Sequence, residues 1–133
     1  MSVDNKEETF DAFMRTYVDP ATRAEVSDRS AVVCLAKPGV PVIYASDAFE
    51  AHTGYAPHEV LGKSLSMLQG PKTEPEAVED FRVLIRNGRP GIVRITNYRK
   101  DKTPFVHECA MRPIKDKDGN VTHFIAIQTP VDA

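Results

Sequence analysis

The chain has 133 residues, of which 41% are hydrophobic and 27% are charged, and its formal net charge is −2. This length fits one domain with a real core, and the composition is that of an ordinary globular protein. The small net charge gives no reason to expect a nucleic acid or an acidic membrane as a partner. Two cysteines far apart make neither a disulfide framework nor a zinc motif.

The sequence also shows no targeting signal. The longest apolar run, residues 31–36, is too short to span a bilayer. The acidic N-terminus lacks the charged and apolar regions of a signal peptide. We therefore expect a cytoplasmic protein without a membrane partner.

The N-terminal segment predicts a helix outside the main domain. Its apolar residues recur at helical spacing: Phe10, Phe13, Met14 and Tyr17. The pattern stops before Pro20. An apolar stripe of this kind has to be buried against another surface. Two surfaces are possible: the protein's own domain, or a second copy in a dimer. We divide the chain into an N-terminal helical cap and linker, residues 1–29, and a main domain, residues 30–133.

The first half of the main domain predicts strands followed by short helices. Two β-rich runs, residues 31–36 and 42–46, flank a Pro-Gly turn. A helical stretch follows, with Asp47 as its expected N-cap and Gly54 as its end. A further helical turn is closed by Gly62.

The second half predicts one longer helix and three strands. The helix begins near Pro75 and presents an apolar face: Val78, Phe81 and Ile85. The strands are residues 92–100, 104–114 and 121–129, and an Asp-Gly turn joins the last two. This order predicts an α+β domain, a five-stranded antiparallel sheet with short helices on one face and an N-terminal cap helix.

No motif for catalysis, nucleotide binding or metal binding is present. The chain lacks GxGxxG and a P-loop, and its histidines have no ligand-like spacing. No nucleophile stands in a triad pattern, and lysine and arginine are dispersed among acids rather than gathered into a nucleic-acid groove. The residues alone favour a ligand-binding or interaction domain and not an enzyme.

Five stretches together resemble the LOV branch of the PAS family, the flavin-binding blue-light sensors. They are "PVIYASDAFEAHTGY", "EVLGKSLSMLQGP", "NYRKDKTPFVHE", "RPIKDKDGNV" and "FIAIQTPV". They occur in the order and spacing of the family and cover about three quarters of the chain. The resemblance implies a PAS/LOV fold, a role in blue-light sensory signal transduction, and FMN as the cofactor. Because the chain ends directly after the last matching strand, it resembles the short bacterial LOV proteins without an effector domain.

The family motif Gly-Arg-Asn-Cys-Arg-Phe-Leu-Gln-Gly contains the cysteine that forms a light-driven covalent adduct with FMN. The matching residues here are Gly62, Leu68, Gln69 and Gly70. The differing residues are Ser64 for the asparagine, Leu65 for the cysteine, Ser66 for the arginine and Met67 for the phenylalanine. The resemblance therefore implies a domain that cannot form the usual cysteinyl-flavin photoadduct.

Beyond that motif, the resemblance assigns Arg82 to the flavin phosphate, Asn97 and His107 to the polar edge of the ring, and Gln128 to its N5 edge. Strand alternation separately places on one face Phe105, His107, Cys109 and Met111, and likewise Phe124, Ala126 and Gln128. The family usually has glycine at Ala126, whose methyl group is expected to crowd a flavin. The candidate cofactor-binding residues are Ser64, Leu65, Leu68, Gln69, Arg82, Asn97, His107, Cys109, Ala126 and Gln128.

Two interpretations of the cysteines and two functions stay open. Cys34 and Cys109 are either small buried apolar residues or a relocated reactive thiol. The first function is a sensory domain that binds flavin non-covalently and signals through its sheet, its N-terminal helix or a dimer rearrangement. The second is a flavin-free module for protein interaction or dimerisation, its pocket filled by Leu65 and Met67. The expected protein partners are a second copy, bound through the N-terminal helix or the sheet, and an unknown downstream protein.

Overall fold

The computed structural model describes residues 9–131. Its helices are α1 (Phe10–Tyr17), α2 (Pro20–Val26), α3 (Asp47–Thr53), α4 (Pro57–Val60) and α5 (Pro75–Asn87), with a 3-10 turn at Leu65–Leu68. Its strands are β1 (Ser30–Leu35), β2 (Val42–Ala45), β3 (Gly91–Tyr98), β4 (Pro104–Lys115) and β5 (Val121–Pro130). The strands form one antiparallel sheet in the order β2-β1-β5-β4-β3. The predicted α+β fold is confirmed.

The inner face of the sheet carries the main core. Cys34 lies opposite Phe124, Met111 opposite Ala126, and Cys109 opposite Gln128. Because directly opposed residues of antiparallel strands point to the same side, this register confirms the predicted inner face. The buried core cluster on this side comprises Val32, Cys34, Val42, Phe49, Val60, Leu68, Cys109, Met111, Phe124 and Ala126.

Helices α1 and α2 cover the outer face of the sheet. Phe13 is 2% exposed, and its ring lies against Tyr44 and His123. The cluster on this side comprises Phe13, Met14, Val18, Val26, Ala31, Val33, Ile125 and Ile127. An ion pair of 2.7 Å between Arg112 of β4 and Glu25 adds a polar tie to α2. Of the two predicted partners of the apolar stripe on α1, the structure therefore shows the protein's own sheet.

One predicted helix cap is wrong. Ser46, not Asp47, is the N-cap residue of α3, and Asp47 is the first helical residue. The Ser46 hydroxyl accepts from the Ala31 backbone N–H at 2.9 Å and donates to the Arg29 carbonyl at 3.0 Å. The start of α3 is thus held by β1 rather than by a local side-chain cap. The predicted end at Gly54 is confirmed, since this glycine takes a left-handed conformation with φ of 82°.

Candidate ligand-binding cavity

A cavity of about 330 Å³ lies between the inner face of the sheet, the 3-10 turn and α5. Its volume is within the range of small-molecule sites, roughly 300–1,000 Å³. The candidate residues that line it are Ser64, Leu65, Gln69, Arg82, Asn97, His107, Cys109 and Gln128. Leu68 and Ala126 do not line it; both lie in the core cluster beside it. Alternation gives the side of a sheet on which a residue lies but not its depth.

Several lining residues were not among the candidates. The apolar wall includes Val78, Phe81 and Ile85 of α5, together with Ile95 and Met111 of the sheet. The helical spacing of the first three was visible in the sequence, as was the position of Ile95, two residues before Asn97. Gly39 and Val40 reach the cavity from the β1–β2 loop, and no periodicity signals loop residues.

The inner end of the cavity is polar and buried. Asn97, His107 and Gln128 are buried there. Asn97 Nδ2 lies 2.9 Å from His107 Nε2, and Gln128 Oε1 accepts from the Ser30 hydroxyl at 2.9 Å. Asn97 Oδ1 is buried and has no hydrogen-bond partner among the described residues. Buried polar atoms are normally paired, so this oxygen marks a place where a ligand can donate.

His107 is neutral at physiological pH. Burial, with a smaller contribution from His52, lowers the pKa of His107 to about 3. A neutral imidazole has one N–H donor and one acceptor nitrogen. His107 Nδ1 lies 3.2 Å from His52 Nε2, so both ring nitrogens have a polar neighbour.

The mouth of the cavity carries a single arginine among the described lining residues. The side chain of Arg82 is 70% exposed, and its guanidinium lies 3.7 Å from Glu79 one turn earlier. Gln69 and Ser66 are exposed beside it. The Ser64 hydroxyl accepts from the Ser66 backbone N–H at 3.1 Å and so caps the 3-10 turn. The cavity thus runs from a polar buried end, between apolar walls, to a mouth with one positive charge.

Comparison with known proteins assigns the family. A PAS domain model matches residues 29–130. The chain is 42% identical over 95 residues to Phototropin-2 of Oryza sativa subsp. japonica, which is 71% of this chain and 10% of that protein. It is 35% identical over 94 residues to the blue-light-activated histidine kinase of Brucella anthropi, 71% of this chain and 19% of that protein. The chain is a PAS domain of the LOV type.

Solved LOV structures share the fold of this LOV domain. The dark structure of the Aureochrome1 LOV photoreceptor superposes with a TM-score of 0.79 at 31% identity, covering 86% of each chain. The LOV domain of the Erythrobacter litoralis EL346 blue-light-activated histidine kinase gives 0.75 at 35% identity, covering 79% of this chain and 97% of that one. The predicted resemblance is therefore confirmed at the level of family and fold, while the chain spans only 10% and 19% of the two curated relatives named above.

The two cysteines of the LOV domain are buried free thiols in the cavity wall. Burial raises the pKa of Cys34 to about 12, and burial together with nearby Cys34 raises that of Cys109 to about 12. Both thiols are therefore protonated at neutral pH, and buried cysteines of this kind pack as small apolar residues. The described part of the chain holds no cluster of three or more metal-binding side chains, and none of its helices is long and apolar enough to cross a membrane.

The loop after the 3-10 turn is held against β3 at a glycine. A Cβ on Gly70 would overlap the ring of Tyr98, whose hydroxyl is fixed by the Lys72 backbone N–H at 2.9 Å. We expect Gly70→Ala to lower the free energy of unfolding by about 1–3 kcal/mol, the usual cost of overpacking. Urea denaturation measures it. Gly91→Ala is the matched control and should cost less, because its new methyl group meets only the movable end of Leu84.

Proposed function

We propose that this LOV-type domain is a sensory module that binds a flavin nucleotide, FMN, non-covalently in the cavity. The observation that carries the proposal is the buried Asn97 Oδ1 without a partner. An unsatisfied buried acceptor costs about 1–3 kcal/mol, and a ligand that donates to it removes that cost. The imide edge of a flavin carries an N–H donor between two carbonyl acceptors, so it offers both kinds of partner to a polar cavity end.

The residues of the cavity fit the parts of FMN. Apolar side chains such as Phe81 and Ile95 would flank a flat ring, and Asn97, His107 and Gln128 would meet its polar edge. Arg82 at the mouth would meet the phosphate, with Gln69 beside it. When bound, the flavin would supply the absorption of blue light and a ring that accepts electrons and protons. The residues of the chain bind the ring, orient its polar edge and exclude water from the buried end.

We further propose that the domain cannot form the usual cysteinyl-flavin photoadduct. Leu65, at the position that the family resemblance assigns to the cysteine, lines the cavity with a hydrocarbon side chain. Cys34 and Cys109 also line it, but they lie on the sheet strands β1 and β4 and not on the 3-10 turn where the family motif places its cysteine. In the proposed sensor, light therefore acts through a change in hydrogen bonds around the ring, because position 65 holds no sulfur.

The output of the proposed sensor runs through Gln128 and the N-terminal helices. Gln128 is hydrogen-bonded to Ser30, the first residue of β1. Ser30 follows α2 closely, and α2 is tied to the sheet through Glu25 and Arg112. A change in the hydrogen bonds of Gln128 would therefore pull on the junction between α2 and β1. We propose this junction as the boundary between the cap, residues 1–29, and the sensor domain, residues 30–133, of which residues 1–8 and 132–133 lie outside the described part of the structure. A homodimer and a downstream protein are the proposed receivers of that movement.

The second candidate function is a flavin-free interaction module. It is favoured by the weak contact that Arg82 would make with a phosphate, because its side chain is mostly exposed and already lies near Glu79. The state of the cavity favours flavin binding instead: Leu65 lines an open space, and Met67 is not among the lining residues. A flavin-free module predicts instead that these two side chains fill it.

Visible absorption of the purified protein separates the two functions. We expect a flavin band as isolated, or after incubation with FMN and removal of the excess, together with a higher melting temperature in the presence of FMN. Illumination should produce no dark-reversible bleaching in air, whereas Leu65→Cys, illuminated in parallel, should gain it. A colourless protein that neither takes up FMN nor gains stability from it would contradict the proposal.

The phosphate contact can be tested by comparing two flavins. We expect Arg82→Gln to weaken FMN binding about tenfold, because a charge-assisted hydrogen bond contributes roughly 1.5–3 kcal/mol. Riboflavin, which has no phosphate, should bind both proteins equally. Titration of intrinsic flavin fluorescence measures both. Arg86→Gln, one turn further along α5 and outside the lining, should leave FMN binding unchanged; equal losses for the two flavins would place Arg82 away from the phosphate.

A further inference from the structure

A chain of hydrogen bonds joins the polar end of the cavity to a histidine outside it. His52 Nε2 lies 3.2 Å from His107 Nδ1, and His107 Nε2 lies 2.9 Å from Asn97 Nδ2. The two imidazole rings are stacked, with centroids 5.4 Å apart and an angle of 25° between their planes. Asn97 and His107 line the cavity, whereas His52 is half-buried on α3 and does not.

Each link of this chain has a direction. A neutral imidazole donates from one nitrogen and accepts at the other, and a side-chain amide donates from nitrogen and accepts at oxygen. When His52 Nε2 accepts, His107 carries its proton on Nδ1, and its Nε2 accepts from the Asn97 NH₂ group. The Asn97 oxygen is then the atom left for the cavity. If His52 Nε2 instead donates, every link reverses and the Asn97 NH₂ group is left for the cavity.

We propose that the protonation of His52 decides whether Asn97 presents an acceptor or a donor to the bound ligand. Protonated His52 has N–H groups on both nitrogens and can only donate. His107 then keeps one proton, on Nε2, and the Asn97 amide turns over to accept from it. The net change is one proton taken from solvent, held on His52. The regulated ligand is the flavin of the proposed function, on which this inference rests: its imide N–H matches the acceptor state, and the donor state opposes it.

The surroundings allow Asn97 to turn over. Its only hydrogen-bond partner among the described residues is His107, because Oδ1 has none. No other bond is therefore broken when oxygen and nitrogen exchange places, and the neighbouring cavity leaves room for the movement.

The charges around His52 set where the change occurs. Arg99, whose guanidinium lies 4.5 Å from the centre of the Phe105 ring, is the charge that acts on His52 from the β3–β4 turn. Lys100 beside it is paired with Glu59 of α4, and Glu50 lies on the helix of His52 itself. Burial first, and Arg99 second, lower the pKa of His52 below its usual range. Since burial takes the pKa of His107 to about 3, His52 is the first of the pair to gain a proton as the pH falls.

The tautomer of His107 is the direct readout. We expect ¹⁵N NMR of the imidazole nitrogens, on the full chain freed of co-purified flavin, to show the Nδ1–H form of His107 at neutral pH. Below the titration of His52 it should show the Nε2–H form. In His52→Phe, which keeps a stacked ring but has no proton to give, the tautomer should not respond to that pH change. One unchanged tautomer in the wild type, or the same change in His52→Phe, would overturn the inference.

Two further variants locate the switch. Arg99→Gln removes the charge that opposes protonation of His52, so the change of tautomer should move to higher pH. His58→Phe removes an exposed histidine that is not part of the hydrogen-bond chain, and it should leave the pH midpoint of the tautomer change where it is. A midpoint that follows His58 and ignores Arg99 would assign the titration to another group and contradict the inference.

Ligand affinity separates this inference from the function on which it rests. Riboflavin is the probe, because it has no phosphate that titrates in this range. We expect its dissociation constant to rise about tenfold on the acid side in the wild type, the effect of one mispaired buried group, and to stay flat in His52→Phe. Riboflavin binding without the tautomer change would refute the control of Asn97 by His52 alone. The tautomer change without any flavin binding would support that control and refute the proposed function.

Discussion

Asn97→Leu is expected to weaken flavin binding by one to two orders of magnitude while changing the free energy of unfolding of the ligand-free domain by less than about 1 kcal/mol. The binding loss follows because leucine offers no partner to the polar edge of the ring. The stability change is small because one partnerless buried atom, Asn97 Oδ1, is exchanged for another, His107 Nε2. The cavity next to Asn97 provides space for the larger side chain. Flavin titration and urea denaturation of the same sample measure the two quantities.

The neighbouring residue supplies a control with the opposite outcome. Thr96 does not line the cavity, and its hydroxyl donates to the Glu74 carboxylate at 2.7 Å. Thr96→Val removes that bond to a charged group, so it should lower the free energy of unfolding by about 1.5–3 kcal/mol and leave flavin binding unchanged. If Asn97→Leu instead lost stability and kept its affinity, Asn97 would be a structural residue and the polar end would not hold the ligand.

Periodicity in the sequence was sufficient to predict the faces of the sheet. The alternation of His107, Cys109 and Met111 placed these side chains on one face because successive residues of a strand point to opposite sides, and the register with β5 agrees. The helical spacing around Phe13 likewise predicted α1, although the spacing alone could not say whether the sheet or a second copy covers it. That choice depends on the shape of the outer face, which no local pattern contains.

Contacts between distant parts of the chain were beyond the sequence. His52 and His107 are 55 residues apart, and Ser30 and Gln128 are 98 apart, so no spacing rule connects them. The wrong cap at Asp47 has the same origin. Local rules favour aspartate at a helix start, but the hydroxyl of Ser46 is held by β1, a partner that only the folded sheet supplies. The polar end of the cavity, and the hydrogen-bond chain from His52 through His107 to Asn97, therefore became visible only in three dimensions.

Phe13→Ala is expected to release α1 from the sheet. Phe13 is fully buried against the outer face, and truncating a buried phenylalanine costs about 3–5 kcal/mol. A helix as short as α1 is not stable by itself in water, so losing this anchor should unfold it locally before the sheet unfolds. Hydrogen exchange followed by mass spectrometry should show fast exchange over residues 10–17, with protection retained in β4 and β5.

Tyr17 on the same helix is the matched control, and it also tests whether a dimer uses this helix. Tyr17 is 57% exposed, although its ring lies 4.9 Å from that of Phe13. Tyr17→Ala should cost about 1 kcal/mol or less, since mainly exposed surface is removed, and should leave α1 protected. If residues on the exposed side of α1 mediate dimerisation, Tyr17→Ala should shift the sedimentation coefficient toward the monomer without changing exchange. If α1 serves only as a cap on its own sheet, the sedimentation coefficient should stay the same in Tyr17→Ala. In Phe13→Ala, the exposed outer face of Val33 and Ile125 should promote self-association.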